Sequence, residues 1–245
     1  MVHAIIKLAD LPIDVTVCHR QTAEKYREFL TKDFPIFSVF VTPAEIASEH
    51  QMMLQLMAQG LQIDASSLTD AALEDSSVYH QVAERLPQFD AMLFHGSAVS
   101  LDGQAYLFLA PSGTGKSTHT RLWREYFGSR AVMVNDDKPM LRFREDSVWI
   151  CGTPWQGKHN LGSNITVPLR AAVILTRDEH NHIEPVAAPD AFPALLQQCY
   201  IFDSTVHAQK MLHMVERLAA SIPIYRLGCN MEPDAARVAY EGMQR

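Results

Sequence analysis

Short apolar runs punctuated by glycine, proline and aspartate fill the middle of the chain. Residues 105–109 (AYLFL) predict a buried strand, and residues 117–127 predict a helix that Gly128 terminates. Upstream, 92–100 (MLFHGSAVS) and 104–109 flank Asp102-Gly103, a strong two-residue hairpin signal. That hairpin demands an antiparallel pair, so an all-parallel sheet is excluded. Residues 131–134 (AVMV), 148–151 and 169–176 (LRAAVILT) predict further strands. A polar turn at 179–182 leads into 183–186, and 222–227 (IPIYRL) reads as a last strand. Helices are predicted over 190–200 and 204–220, where Met211, Leu212, Val215 and Leu218 recur at helical spacing, and over 232–243, with Pro233 in its first turn.

The first 88 residues read as a separate, smaller unit. Residues 11–18 alternate as a strand does, 22–30 predict a short helix, and 36–41 (IFSVFV) predict a second strand. Thr42-Pro43-Ala44-Glu45 is a capping box with proline at the first helical position. It opens a helix to residue 59, with Ile46, Met53, Leu54 and Met57 on one face and Gly60 as its stop. Residues 68–86 predict one or two more helices, ended by Pro87. This unit, 1–88, carries no recognisable chemistry, so recognition of a substrate or partner falls to it by elimination. The expected fold is α/β: a mixed sheet with helices against it over 89–245, plus the small N-terminal α/β unit.

Composition narrows the classes of function. With 245 residues, 47% of them hydrophobic, the chain can build one large core or two modest ones. A net charge of −7 argues against nucleic acid or an acidic membrane as partner. Residues 1–88 hold 6 Lys/Arg against 12 Asp/Glu, whereas 112–145 hold 7 against 4, which suits an anion site in the middle of the chain. No apolar run approaches the ~20 residues of a membrane span, and no basic-then-apolar leader is visible. Cys18, Cys151, Cys199 and Cys229 are scattered and read as free thiols, so a cytoplasmic location is expected.

The chemistry gathers at 110–117, Ala-Pro-Ser-Gly-Thr-Gly-Lys-Ser, a G-x-x-x-x-G-K-S phosphate-binding loop with alanine for the first glycine. Ser112, Gly113, Thr114 and Gly115 can turn backbone N–H groups toward phosphate oxygens. Lys116 can reach the outer phosphates, and Ser117 or Thr118 can place a hydroxyl on Mg²⁺. A strand before the loop and a helix after it aim the helix N-terminus at the anion. Strand 131–134 ends in Asn135-Asp136-Asp137, where one carboxylate can hold Mg²⁺ and the other accept a proton. His95 is expected on a strand of the same sheet.

His95-Gly96-Ser97-Ala98, the loop SGTGKST and the pair Asp136-Asp137 resemble, in this order, the catalytic core of HPr kinase/phosphorylases. That core is shared with the ATP-dependent phosphoenolpyruvate carboxykinases. The resemblance spans residues 92–158, about a quarter of the chain. It implies a P-loop kinase-like domain over 89–245 that uses ATP and Mg²⁺. Lys116 and Ser117 would serve the nucleotide and metal, Asp137 the metal, Asp136 the proton, and His95 the phosphoryl group. HPr kinases carry a glutamate downstream, but 149–160 here holds no carboxylate. Lys158, after Gly157, resembles the carboxykinase pattern instead and becomes the candidate second cation. The chain has no room for an oxaloacetate-binding lobe, so decarboxylation is not expected.

The resulting expectation is a kinase passing a phosphoryl group from ATP to a hydroxyl of a protein serine, a peptide or a small molecule. Phosphatase or phosphorolysis activity at the same site is the alternative, and a catalytically silent, nucleotide-gated binding protein is another. HPr kinases assemble as hexamers, so the resemblance also raises a homo-oligomer.

Overall fold

In the computed structural model, which describes residues 1–60, 63–145, 147–200 and 204–244, the chain divides into two units, Met1–Arg85 and Leu86–Arg245. The first contains strand β1 (Val2–Leu8), which the sequence pattern leaves unassigned, antiparallel to β2 (Leu11–Val17). Leu11, Ile13, Val15 and Val17 bury alternate positions of β2. The segment expected as one helix over 22–30 forms α1 (Arg20–Lys25) and then a 3₁₀ turn, Arg27–Phe29, that buries Phe29. β3 (Phe37–Phe40) joins β2 in parallel. Helix α2 (Pro43–Ala58) starts on the capping box: Glu45 N–H donates to Thr42 Oγ1 at 3.3 Å, and Thr42 N–H to Glu45 Oε2 at 2.6 Å. Helix α3 (Asp70–Arg85) is a single helix. Its fully buried Glu74 accepts the N–H groups of Cys18 and His19 and so ties the helix to the end of β2.

The second unit is built on a mixed sheet. Its elements are β4 (Ala91–Leu93), β5 (Ser97–Leu101), β6 (Gln104–Leu109), α4 (Lys116–Phe127), β7 (Ala131–Asn135), β8 (Met140–Arg144), β9 (Ser147–Cys151), β10 (Thr166–Arg177), β11 (His182–Pro185), α5 (Ala188–Leu196), α6 (Thr205–Ser221), β12 (Ile224–Cys229) and α7 (Asp234–Gly242). Among the described residues the strand order is β4-β8-β9-β10-β6-β5-β7, with β12 on β10 and β11 on β12. β5 and β6 form the expected hairpin, with Leu101 opposite Gln104. β10 outruns its predicted span. It pairs antiparallel with β9 at its start and parallel with β12 at its end, while holding β6 in parallel.

Residues 92–100 do not make one strand. β4 pairs with β8, β5 pairs with β6 and β7, and His95 falls in the break between them rather than on a strand. Local packing explains the break. A Cβ on Gly96 would meet Leu107 Cδ1 at 2.8 Å, so the chain must pass close over β6 here. Phe94, His95 and Gly96 donate their N–H groups to Pro139, Gln198 and Asp137 carbonyls instead of to a strand ladder.

Period-two alternation along β6 divides the core. Tyr106 and Phe108 pack with Leu122 and Trp123 of α4 and the alanines of α7, whereas Leu107 and Leu109 pack with α5 and α6 through Leu195, Met211 and Val215. Burying each large apolar side chain contributes about 1.5–3 kcal/mol. The pairing directions have one consequence for the site. β7 and β6 are each antiparallel to β5, and β10 and β12 run parallel to β6, so β6, β7, β10 and β12 all point the same way. Their carboxyl ends share one rim, which is where ligands bind open α/β sheets. No helix among the described residues is long and apolar enough to cross a membrane.

Candidate active site

Residues 110–115 connect β6 to α4 and set the first side of this rim. Gly113 and Gly115 take φ of +77° and +131°, a backbone region closed to most side chains. Gly115 is the N-cap of α4, so the helix N-terminus points back at the loop. Lys116 is buried, and its Nζ donates to the Ala110 carbonyl at 2.8 Å. Burial lowers its pKa, helped by Lys138, while Asp137 and Asp136 oppose the shift. Ser112 is exposed, and Ser117 and Thr118 are half-buried on the first turn of α4. Arg177, at the end of β10, donates through Nη2 to the Gly113 carbonyl (2.7 Å) and through Nε to that of Thr114 (3.3 Å). This guanidinium fixes the outer face of the loop.

The aspartate pair follows β7 on the same rim, and Asn135 holds it there. The buried Asn135 side chain accepts the N–H groups of Asp137 (2.9 Å) and Lys138 (2.8 Å), an Asx turn that bends the chain straight after the strand. Its Nδ2 donates to Thr153, whose hydroxyl donates to the Lys138 carbonyl at 2.6 Å. Asp136 is only 5% exposed. Its Oδ1 accepts the Ser97 hydroxyl at 2.7 Å, and Ser97 Oγ lies 3.2 Å from Thr120 Oγ1 on α4. The single Thr120 hydroxyl proton is shared between Ser97 Oγ and the Ser117 carbonyl, which also lies 3.2 Å away. Ser97 thus sits between Asp136 and the helix that leaves the loop, in contact with both.

Asp137 is more open. Its Oδ1 stands 3.4 Å from His95 Nε2 and 3.6 Å from Lys138 Nζ. Burial pushes His95 down to about 4, with Lys138 and Lys116 adding to the shift and Asp137 and Gln198 opposing it. His95 is therefore neutral at pH 7 and acts there as a hydrogen-bonding group, not a cation. Loop 152–164 closes over the end of β7. Asp136 N–H donates to the Leu161 carbonyl, and Ser163 N–H to that of Val134. Gly157 faces the pair, and a Cβ there would lie 3.4 Å from Asp137 Cβ and 3.5 Å from Asp136 Oδ2. Lys158 comes next, exposed in the turn that the Asn160 N–H to Gly157 carbonyl bond closes. It follows Gly157, which faces the pair, while Lys138 Nζ stands 3.6 Å from Asp137 Oδ1.

Several of these residues carry no sequence signal of their own. Lys138 directly follows the carboxylates and could have been read from that adjacency. Asn135 at a strand end is a legible Asx-turn signal. Ser97, Thr153 and Arg177 reach the site only because particular strands lie side by side. Among the described residues no three His, Cys, Asp or Glu side chains cluster as a metal site. The oxygen donors of Ser117, Asp136 and Asp137 are nonetheless the hard ligands Mg²⁺ takes when phosphates complete its shell. The donor set fits that ion.

The molecule is thus a mixed α/β protein with a glycine-containing strand–loop–helix junction beside a carboxylate pair. No family model matches the chain, and no curated protein matches it. Solved structures that do match include the HPr(Ser) kinase/phosphatase from Coxiella burnetii, a distant likeness of fold with 10% identity and a TM-score of 0.34, covering 63% of this chain and 99% of that one.

Proposed function

We propose that this protein is a kinase-type phosphotransferase that passes the terminal phosphoryl group of MgATP to a hydroxyl on a protein, peptide or metabolite. The observation that carries this reading is buried Asp136, held by the Ser97 hydroxyl that also meets Thr120, beside the helix behind the loop. The N–H groups of residues 112–118 and the Lys116 ammonium hold the donor's phosphates. Asp136, oriented by Ser97, takes the acceptor's proton at its other oxygen, Oδ2, to which Gly157 leaves the approach clear. Ser117 and Asp137 would hold Mg²⁺, which supplies charge neutralisation at the phosphates when bound. Neutral His95 donates a hydrogen bond to the transferred group, and Lys138 and Lys158 offset its charge.

The test begins with thermal stabilisation by ATP, ADP and tripolyphosphate, with and without Mg²⁺, and a screen of hydroxyl-bearing acceptors with labelled ATP. Asp136→Asn is expected to lower kcat by about 10²–10⁴, while ATP affinity changes only a few-fold. Turnover by Asp136→Asn at the wild-type rate removes Asp136 as the base, and absence of any phosphate-dependent stabilisation removes the whole reading.

A further inference from the structure

Glycine shapes the loop between β6 and α4 and also leaves it loose. Gly113 and Gly115 flank Thr114 at φ of +77° and +131°, and two glycines so close together let the peptide groups between them turn over at little steric cost. The direction of those groups decides what an anion meets. A trans peptide is planar, with its C=O and N–H on opposite sides, so each one presents either an acceptor or a donor to the hollow of the loop. A carbonyl turned inward repels phosphate oxygens, and an N–H turned inward binds them.

Arg177 holds two of these peptides. β10 runs parallel to β6 with Ile174 beside Leu109, and it continues past the end of β6, carrying Arg177 alongside the loop. The guanidinium donates through Nη2 to the Gly113 carbonyl at 2.7 Å and through Nε to the Thr114 carbonyl at 3.3 Å. With both carbonyls drawn to it, the N–H groups of Thr114 and Gly115 face the other way. The Thr114 N–H closes a turn on the Pro111 carbonyl at 3.2 Å, whereas the Gly115 N–H, at the start of α4, has no partner among the described residues. Arg177 has no carboxylate partner among the described residues either, so its charge is committed to the loop. Two carbonyls side by side suit a planar fork of donors, which an ammonium group does not offer.

We infer that Arg177 is a positioning residue for phosphate binding: it keeps the Gly113 and Thr114 carbonyls out of the hollow of the loop and leaves the Gly115 N–H free for a phosphate oxygen. It acts through the backbone and needs no contact with the ligand. The inference rests on the phosphotransferase reading above, and the experiment separates the two.

Thr114-Gly115 is the single Thr-Gly step in the chain, so carbonyl-¹³C threonine combined with ¹⁵N glycine marks the Gly115 amide alone in an NMR spectrum. Arg177 is exposed, so Arg177→Met is expected to keep the wild-type melting temperature. In the free protein its Gly115 signal is expected to broaden or split where the wild type gives one sharp line. Isothermal titration with Mg²⁺ is expected to show tripolyphosphate and ATP both binding about tenfold more weakly to Arg177→Met, since both use the loop. Arg177→Lys is expected to recover only a small part of that loss. In Arg177→Ala, added ethylguanidinium is expected to restore tripolyphosphate binding, and ethylammonium is not. An unchanged Gly115 signal or undiminished affinity in Arg177→Met, or equal rescue by ethylammonium, overturns the inference and leaves the phosphotransferase reading standing. No binding of tripolyphosphate to the wild type overturns that reading, and the phosphate role of Arg177 with it.

Discussion

Two histidines in the second unit sit where a proton is unwelcome, and this gives the protein a pH signature. Burial pushes His119 down to about 3, and burial with neighbouring lysines pushes His95 to about 4, whereas in the unfolded chain both titrate near 6.5. Between about pH 6.5 and 4 the unfolded state therefore binds more protons than the native one. Stability from these groups is complete above 6.5 and declines as the pH falls. For His119 the slope reaches up to about 1.4 kcal/mol per pH unit. Urea midpoints are expected to drop from pH 7 to pH 4.5, and to drop less in His119→Phe/Trp123→Phe. A flat profile in the wild-type protein would show that both rings admit a proton freely. At this scale the sequence shows the Gly113-Thr114-Gly115-Lys116 motif and both aspartates plainly, because glycine, lysine and carboxylate adjacency are local properties. It is silent on the Trp123 bond to His119 and on the Ser97 contact to Asp136, which arise from neighbours 4 and 39 residues away.

Elements here are fixed partly by local signals and partly by close packing. The capping box at the start of α2 is local: Thr42→Ala removes the acceptor for the Glu45 N–H and is expected to cost about 1 kcal/mol, measurable as a lower melting temperature. Gly152 is the opposite case. A Cβ there would stand 1.9 Å from the Ser163 carbonyl oxygen and 2.8 Å from that of Val134, both backbone atoms that cannot swing aside. Gly152→Ala is thus expected to push loop 152–164 off the end of β7, costing about 1–3 kcal/mol and disturbing the Asp136 N–H bond to Leu161. Denaturant unfolding and the kinase assay read the two effects, and wild-type behaviour in both would mean the loop yields easily. The hairpin at Asp102-Gly103 was legible because its turn residues carry the signal themselves. The break at His95 was not, since an apolar run looks the same whether it pairs with one neighbour along its length or changes neighbours midway.

For the whole molecule, the second unit holds apolar clusters on both faces of its sheet, all from within Leu86–Arg245. Leu86–Arg245 expressed alone is expected to fold cooperatively by circular dichroism and to bind tripolyphosphate as the full chain does. If Met1–Arg85 selects the acceptor, that fragment would retain ATP hydrolysis and lose acceptor phosphorylation; a fragment that phosphorylates the acceptor normally assigns selection to the second unit. The mixed α/β character, the hairpin at Asp102-Gly103 and the start of α2 follow from the sequence itself, because hydrophobic period, capping residues and turn residues act over a few positions. The tertiary structure alone decided that β6, β7, β10 and β12 end on one rim, since strand neighbours are chosen by burial across the whole sheet. That choice brings Arg177 to the loop, Ser97 to Asp136 and His95 to Asp137.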